Sequence, residues 1–415
     1  MTQSKQQLES KVATPNEIRP FCIAIPQEDL EDLRDRLLRT RWPAQLPGDG
    51  WNRGVPVTYL KNITEYWQTD YNWRENEAKL NEFPQFITEI DGQTIHFLHV
   101  RSPEPNALPL IITHSWPNSV AEFMKIIGPL SNPRAYGRNP DIAFHVVAPS
   151  IPGFAFSQFS EPADETPWNI TRVARTWAEL MRRLGYDRYG AHGNDAGALV
   201  SPELAVIDPE HMVGVHITGG LGIPTGDPNE LEDLTEEESK EIEQLAELFT
   251  GGSGYAPYLT HRPQTLSYGM SDSPVAQLAY LVERYKEFDG WPGARVEMPQ
   301  EPLDLDQLLT NVTLYWLTRT AGSSSWTYYE EAAGMPIDQT KVPTGVSHGG
   351  GPVFRRLAER KNNIVHWSDN TSVSHMVAMA VPDTLVDDIR EFFLVNYACL
   401  KVLGYESENQ KNRDK

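Results

Sequence analysis

The stretch Tyr189-Gly190-Ala191-His192-Gly193-Asn194-Asp195-Ala196-Gly197-Ala198 decides the fold of this chain. Residues 186–191 before the turn are predicted to form a strand, and the apolar run 198–207 after it is predicted to form a helix. Between them, Gly-x-Asp-x-Gly is typical of a nucleophile elbow, a strained turn that raises one side chain over a parallel sheet. The glycines suit that turn because the crowded backbone leaves no room for a Cβ atom. The residue at its centre is Asp195.

A carboxylate at this position indicates a particular chemistry. An aspartate attacks a carbon that carries a good leaving group, such as a strained epoxide or an alkyl halide, and forms an ester. Taken alone, an aspartate flanked by glycines is more often an ordinary loop residue. The rest of the chain must therefore decide between the two interpretations.

Apolar, β-branched runs on both sides of the elbow predict the remaining sheet. A hairpin around Asp91-Gly92 is predicted first, and helical patterns alternate with the strands that follow it. Alternating strands and helices favour an α/β fold with a mostly parallel sheet and function at the carboxyl ends of its strands. The predicted strands are 18–25, 86–90, 94–100, 108–113, 144–148, 213–218, 342–346 and 363–367.

Helical patterns fill most of the remaining chain. They are predicted from Gln27 to the residue before Pro43 and over 58–73, 120–127 and 382–397. Residues 219–335 are helical and acidic in pattern and show no clear sheet strand. An insertion of that length favours a helical lid, placed after the sixth core strand.

Composition excludes several classes of function. The 415-residue chain has a formal net charge of −21, which argues against nucleic acid or anionic membranes as partners and suits a neutral small molecule. Cys22 and Cys399 are its two cysteines, so neither a disulfide framework nor a cysteine metal site is expected. No apolar run reaches the roughly 18 residues of a membrane span. We expect a soluble, cytoplasmic protein without a metal or cofactor, and a homodimer stays open.

With these motifs in place, the chain resembles the microsomal-type epoxide hydrolases over nearly its full length, from about residue 18 to residue 393. The motifs that carry the resemblance include Asp-Leu-x-x-Leu-x-x-Arg-Leu at 29–37, Arg-Trp-Pro at 41–43 and Trp-Arg-x-x-Glu-x-x-Leu-Asn at 73–81. The resemblance implies an α/β-hydrolase core with an N-terminal meander. The expected divisions are a disordered tail at 1–17, the meander at 18–85, the core at 86–220 and 336–402, the lid at 221–335 and a charged tail at 403–415.

The resemblance also implies roles for individual residues. Asp195 matches the nucleophile and His375 the base that activates water. Tyr255 and Tyr328, both in the lid, match the pair that holds and protonates the oxirane oxygen. Tyr329 directly follows the second tyrosine in the sequence and is easily mistaken for it.

The loop His114-Ser115-Trp116-Pro117 matches the family's His-Gly-Trp-Pro oxyanion loop, with serine in place of glycine. The backbone N–H groups of Trp116 and Ala196 are expected to form the oxyanion hole. His114 and Trp116 are expected to contact the substrate together with the two lid tyrosines.

Departures from the family pattern concern the elbow and the acid that orients the base. Ala196 stands where the family has tryptophan, which predicts a roomier pocket, and His192 and Asn194 replace small or amide residues. The family places a carboxylate several residues after the Pro-Thr-Gly strand, whereas here none follows before Glu359. Asp369, six residues before His375, is the substitute acid that we consider.

These observations favour an epoxide hydrolase that acts on a neutral, apolar epoxide through an ester on Asp195 and releases a diol. A close alternative opens the epoxide but turns over weakly or without ordinary hydrolysis. A haloalkane dehalogenase-like enzyme is a further alternative, although a halide site favours Trp or Asn donors. A non-catalytic ligand-binding homologue of the same fold is the alternative from a different class.

Overall fold

The computed structural model describes residues 17–48, 50–159, 166–219, 231–247, 254–288, 304–330, 340–360, 362–368 and 375–402. Side chains are described up to residue 243 in the fourth of these ranges and up to residue 396 in the last. The predicted terminal tails, apart from Glu17, and the candidate acid Asp369 lie outside the described residues.

One mixed sheet forms the centre of the molecule. In spatial order its strands are β1-β2-β3-β5-β4-β6-β7-β8-β9; pairing is antiparallel from β1 to β5 and parallel from β5 to β9. This arrangement confirms the predicted α/β fold. The strands are β1 Arg19–Phe21, β2 Gln85–Ile90, β3 Gln93–Val100, β4 Leu108–Thr113, β5 Phe144–Pro149, β6 Tyr189–Asn194, β7 Met212–Thr218, β8 Thr340–Ser347 and β9 Asn362–Ser368.

Helices cover both faces of the sheet and form the lid. Between β7 and β8, the described residues 231–247, 254–288 and 304–330 are helical apart from their connections. The α-helices are α1 Gln27–Leu38, α2 Val57–Thr69, α3 Trp73–Asn81, α4 Ile127–Ser131, α5 Ile170–Arg183, α6 Ala196–Ile207, α7 Glu236–Glu247, α8 Tyr255–Leu259, α9 Pro263–Asp272, α10 Pro274–Phe288, α11 Leu305–Thr318, α12 Trp326–Glu330, α13 Pro352–Glu359, α14 Val377–Ala380 and α15 Pro382–Val402. Short 3-10 helices lie at Val120–Phe123, Pro133–Tyr136 and Ser323–Ser325.

Alternation along β4 shows how the sheet separates two cores. Leu110 and Ile112 pack into the cluster that includes residues of α4 and α15, whereas Ile111 packs into the cluster that includes residues of α5 and α6. Because successive strand side chains point to opposite faces, a strand buried on both faces must be apolar throughout. That requirement explains why these strands were recognisable in the sequence as continuous apolar runs.

Several predicted elements need correction. The helix predicted from Gln27 to the residue before Pro43 ends at Leu38, and the strand predicted at 186–191 is β6 at Tyr189–Asn194. The predicted helix at 58–73 ends at Thr69, and α3 begins at Trp73 because the Asn72 side chain accepts hydrogen bonds from the first backbone N–H groups of that helix. The predicted helix at 120–127 is a 3-10 turn followed by α4, which begins only at Ile127. The predicted strand at 18–25 is limited to three residues at the edge of the sheet.

Residues of the 73–81 motif hydrogen-bond to the first residues of the N-terminal extension. Asn81 bonds both backbone groups of Ile23 through its side-chain amide, and Glu77 accepts a hydrogen bond from the N–H of Ile25. The extension also contacts the lid, since the Trp67 indole N–H donates to the Thr313 hydroxyl at 3.0 Å. In the part of the chain that the structure describes, no helix combines the length and apolarity needed to cross a membrane.

Candidate active site

The predicted nucleophile lies at a true elbow. Asp195 joins the end of β6 to the start of α6 with φ 52° and ψ −112°, a backbone conformation that non-glycine residues rarely adopt. A Cβ atom on Gly193 would lie 2.1 Å from the carbonyl oxygen of Gly197, and one on Gly197 would lie 2.1 Å from the carbonyl oxygen of Thr113. Both glycines are therefore needed for the close approach of α6 to the sheet.

The loop at residues 114–117 reaches the carboxylate of Asp195. The backbone N–H of Trp116 donates to Oδ1 of Asp195 at 3.0 Å. Ala196 is the first residue of α6, and the first N–H groups of a helix have no partner within the helix. The two predicted donors thus come from the residue beside the carboxylate in the chain and from a loop that lies against it.

His375 lies on the other oxygen of the same carboxylate. Its Nε2 is 3.4 Å from Oδ2 of Asp195. The side-chain amide of Asn194 donates to the backbone carbonyl of His375 at 2.8 Å, and the His375 N–H donates to the carbonyl of Phe288 at 3.3 Å. The last residue of β6 and the last residue of α10 therefore anchor the backbone of His375.

The two lid tyrosines meet above this group. Tyr255 begins α8 and Tyr328 lies in α12; their rings are 5.7 Å apart, edge to face, and their hydroxyls are hydrogen-bonded to each other. Trp116 contacts both rings, at 5.7 Å and 5.0 Å between centroids. Burial raises the pKa of both phenols, so both remain protonated at neutral pH. Tyr329 is 53% exposed, whereas Tyr328 is partly buried, so the structure distinguishes the two adjacent tyrosines.

The structure gives His114 a different role from the expected substrate contact. The side chain is fully buried; Nδ1 bonds the backbone carbonyl of Ser115, and Nε2 accepts from the backbone N–H of Ile151. Both ring nitrogens are thus occupied by the backbone, and burial lowers the pKa of the imidazole to about 4. His114 shapes the loop, which leaves Trp116 as the loop residue that faces the nucleophile.

Glu122 is a site residue that sequence reasoning missed. It is 1% exposed, and its Oε2 accepts hydrogen bonds from the backbone N–H and the hydroxyl of Ser115 at 2.9 and 2.7 Å. Burial raises the pKa of this carboxyl group. The serine that replaces the family's glycine therefore binds a buried acid behind the oxyanion loop, and the Glu seven residues after it was the available signal.

The other unusual residue beside the elbow lies away from the chemistry. His192 is buried and bonds His216 on β7 through the two Nδ1 atoms at 3.0 Å. His216 and His366 each bond Oδ1 of Asp388 on α15, at 2.8 and 2.9 Å. Burial alone would raise the pKa of Asp388, but these hydrogen bonds lower it overall. His192 thus belongs to a buried row across the sheet, as a packed strand residue would.

The residues that could orient His375 are only partly described. The loop after β8, residues 348–351, carries a histidine and three glycines and no carboxylate, as its sequence implied. Asp369 lies outside the described residues. Within the described ranges, no cluster of three or more His, Cys, Asp or Glu side chains is arranged to hold a metal ion.

The mostly parallel sheet and the strand-to-helix elbow that carries Asp195 define the fold as that of an α/β-hydrolase. A family model described as the alpha/beta hydrolase fold matches residues 109–296, and one described as the epoxide hydrolase N terminus matches residues 18–123. The chain is 42% identical to a protein of Stigmatella aurantiaca assigned to the epoxide hydrolases, over 91% of this chain and 84% of the relative. It is 31% identical to epoxide hydrolase 1 of Sus scrofa, over 92% and 89% of the two chains.

Solved structures agree with this comparison. Aspergillus niger epoxide hydrolase superposes with a TM-score of 0.76 at 28% identity and covers 91% of this chain and 96% of its own. The juvenile hormone epoxide hydrolase of Bombyx mori superposes with a TM-score of 0.75 at 27% identity, over 92% and 94%. The chain belongs to the epoxide hydrolase family, a family of enzymes that hydrolyse epoxides.

Proposed function

We propose that this protein hydrolyses a neutral, apolar epoxide to a diol in two steps, through an ester on Asp195. One observation carries the proposal: the Trp116 N–H and His375 Nε2 lie on the two oxygens of one carboxylate, at 3.0 and 3.4 Å. The same carboxylate is thus held by an oxyanion donor and stands beside a base. A hydroxyl pair from Tyr255 and Tyr328 completes the site from the lid.

In the first step, a carboxylate oxygen of Asp195 attacks an epoxide carbon while the C–O bond to that carbon breaks. The oxirane oxygen takes a proton from the tyrosine pair. An alkoxide is a poor leaving group in water. A phenol, whose ordinary pKa of about 10 is raised further here by burial, can donate to it without ionising at pH 7. The product is a hydroxyalkyl ester on Asp195 and a transient phenolate.

In the second step, His375 takes a proton from water, and the resulting hydroxide attacks the ester carbonyl carbon. The tetrahedral oxyanion is held by the N–H groups of Trp116 and Ala196. The intermediate collapses to the diol, whose ester oxygen receives the proton from His375. The second proton of the water is left on the Asp195 carboxyl and restores the phenol, so the enzyme returns to its starting state.

The pocket walls support an apolar substrate. The Trp116 ring contacts four aromatic side chains, those of Tyr255, Tyr280, Phe288 and Tyr328, and Phe288 also lies 5.1 Å from the His375 ring. A dehalogenase would instead need indole or amide N–H donors for the halide. Here the Trp116 indole N–H is directed to the Ser324 hydroxyl at 3.3 Å, and Ala196 carries no side-chain donor. A cytoplasmic location and a homodimer stay predictions from the sequence.

A single turnover in ¹⁸O-labelled water tests the ester. With enzyme in excess over an aryl epoxide, the first diol should take its new oxygen from Asp195, and the label should appear in the peptide that contains Asp195. Asp195→Asn should form no adduct, because an amide is a far weaker nucleophile. Label in the first diol together with an unlabelled peptide would mean that water attacks the epoxide directly, and the covalent mechanism would then be wrong.

A further inference from the structure

A buried arginine lies against one of the two lid tyrosines. Arg284 is on α10, and its side chain is 4% exposed. The guanidinium carbon is 4.6 Å from the ring centroid of Tyr255 and 5.0 Å from that of Tyr280. Nη2 contacts Glu283 at 2.6 Å and Glu287 at 3.2 Å. The cation therefore contacts two carboxylates and two phenol rings.

Its placement calls for an explanation beyond packing. Removing a guanidinium from water is costly before its partners compensate, and a protein with an apolar residue of similar size at such a position is often no less stable. The two carboxylates compensate this cost only in part. Each side chain is about a third exposed, so water screens its attraction to the guanidinium. Burial raises the pKa of Glu287 to about 7, so near neutral pH this partner is only partly ionised. The guanidinium is thus the charged group that lies over the Tyr255 ring, and its effect on that phenol exceeds the opposing effect of Glu287.

That charge can affect the epoxide-opening step through the phenol ring. When the Tyr255 hydroxyl gives its proton to the oxirane oxygen, negative charge develops on the phenolate oxygen and spreads into the ring. A cation within about 6 Å of the ring face is attracted to that charge, and desolvation strengthens the attraction. The guanidinium lowers the pKa of Tyr255, against the larger effect of burial, which raises it.

We propose that Arg284 is a positioning residue for epoxide opening: its buried guanidinium holds the Tyr255 ring and supports proton donation from Tyr255 to the oxirane oxygen. The inference rests on the proposed two-step function and deepens it. It assigns Arg284 to the first step only. Hydrolysis of the ester uses His375 and the oxyanion hole, whereas the contacts of Arg284 within the described residues are with Glu283, Glu287 and the two phenol rings.

The test compares Arg284→Met with Lys286→Met in single-turnover rapid-quench experiments. Both variants remove a cation from α10, but the Lys286 ammonium lies 5.5 Å from the ring of Trp51, in the N-terminal extension. Arg284→Met should slow ester formation roughly 3- to 30-fold, the range for a desolvated cation over an aromatic ring, and leave ester hydrolysis unchanged. Lys286→Met should change neither step, and Arg284→Lys should recover part of the lost rate.

A double-mutant cycle separates this role from a merely structural one. In the Tyr255→Phe background, Arg284→Met should have little further effect on ester formation, because the hydroxyl that it supports is gone. An equal loss in both backgrounds, or an equal loss in both steps, would overturn the proposal.

A resonance measurement keeps the inference testable if the proposed function fails. Should wild-type enzyme form no ester, the two-step mechanism is wrong, whatever Arg284 does. With ¹³C-labelled tyrosine, the Cζ resonance of Tyr255, assigned through Tyr255→Phe, should then shift in Arg284→Met and stay in place in Lys286→Met. An unshifted resonance in Arg284→Met would reject the electrostatic contact itself.

Discussion

Replacing Gly193 by alanine tests the geometry on which the site depends. The new Cβ would stand 2.1 Å from the Gly197 carbonyl oxygen, 2.2 Å from its carbonyl carbon and 2.7 Å from its Cα. Ordinary van der Waals contact begins at 3.4 Å, so the atoms would be roughly 1 Å too close. All three are backbone atoms, and none can rotate away. Relief requires β6 and α6 to separate.

The expected cost follows from the kind of atoms involved. Overpacking a core with movable side chains typically costs 1–3 kcal/mol, so a clash between two backbones should cost about 3 kcal/mol or more. Gly193 does not have a positive φ, so steric contact and not backbone strain carries the effect. Total stability is commonly about 5–15 kcal/mol, so the loss would be a large fraction of it. Separation of β6 and α6 would also displace Asp195 from the Trp116 N–H.

Urea unfolding measures this cost, with Gly269→Ala as the matched control. Gly269 lies within α9, and a Cβ atom there would have no neighbour within 4 Å. Alanine at an open helical position should be neutral or stabilise by up to about 1 kcal/mol. The Gly193→Ala midpoint should fall well below that of wild type, whereas the Gly269→Ala midpoint should not. An unchanged midpoint in Gly193→Ala would refute the close approach of α6 to β6.

Two further predictions concern pH. Burial raises the pKa of Glu287 to about 7. When this carboxyl group ionises, it adds a negative charge beside Arg284 and Glu283. That charge disfavours the negative charge that develops on Tyr255 during epoxide opening. Ester formation should therefore slow as pH rises through 7, and rapid quench should show this decline absent in Glu287→Gln. Burial lowers the pKa of His96 to about 3, against about 6.5 when unfolded, so its contribution to stability is complete above pH 6.5 and is lost as pH falls towards 3. Urea unfolding at pH 7 and at pH 5 gives the free energy of unfolding that is lost between these two values. This loss should be about 2 kcal/mol smaller in His96→Gln than in wild type. Equal losses would contradict the lowered pKa of His96.

Strands were easier to predict than helix boundaries, for a physical reason. A strand buried on both faces must be apolar at every position, so its ends are visible where polar residues resume, as at His114 after β4. The division between α2 and α3 was missed because the buried tryptophans, Trp67 and Trp73, continue a helical spacing across it. The break depends on a single cap at Asn72, which periodicity does not register.

The candidate site residues also differ in how far the sequence predicts them. Glycine spacing singled out Asp195 as a candidate, because the elbow imposes a local backbone requirement that only certain residues satisfy, and the rest of the chain decided between this interpretation and an ordinary loop. His375 and the two tyrosines were found through family resemblance, since nothing local links residues so far apart in the chain. Arg284 and Glu122 were missed because charged residues in helical segments usually lie in solvent. Their burial follows from how the lid and the oxyanion loop pack, which no sequence window contains.

Hydrogen bonds at the end of β6 and at the end of α10 explain why Asp195 and His375 stay together. Asn194 directly precedes Asp195, and its side chain holds the His375 carbonyl at 2.8 Å, while the Phe288 carbonyl accepts the His375 N–H. The backbone of the base is therefore anchored from the nucleophile's own strand and from the lid, and the Phe288 ring packs against the imidazole. The backbone of His375 is thus placed by contacts that involve no carboxylate. The task that remains for a carboxylate partner is to select the tautomer of the His375 imidazole and to stabilise the imidazolium during ester hydrolysis. The first chemical step does not need either contribution.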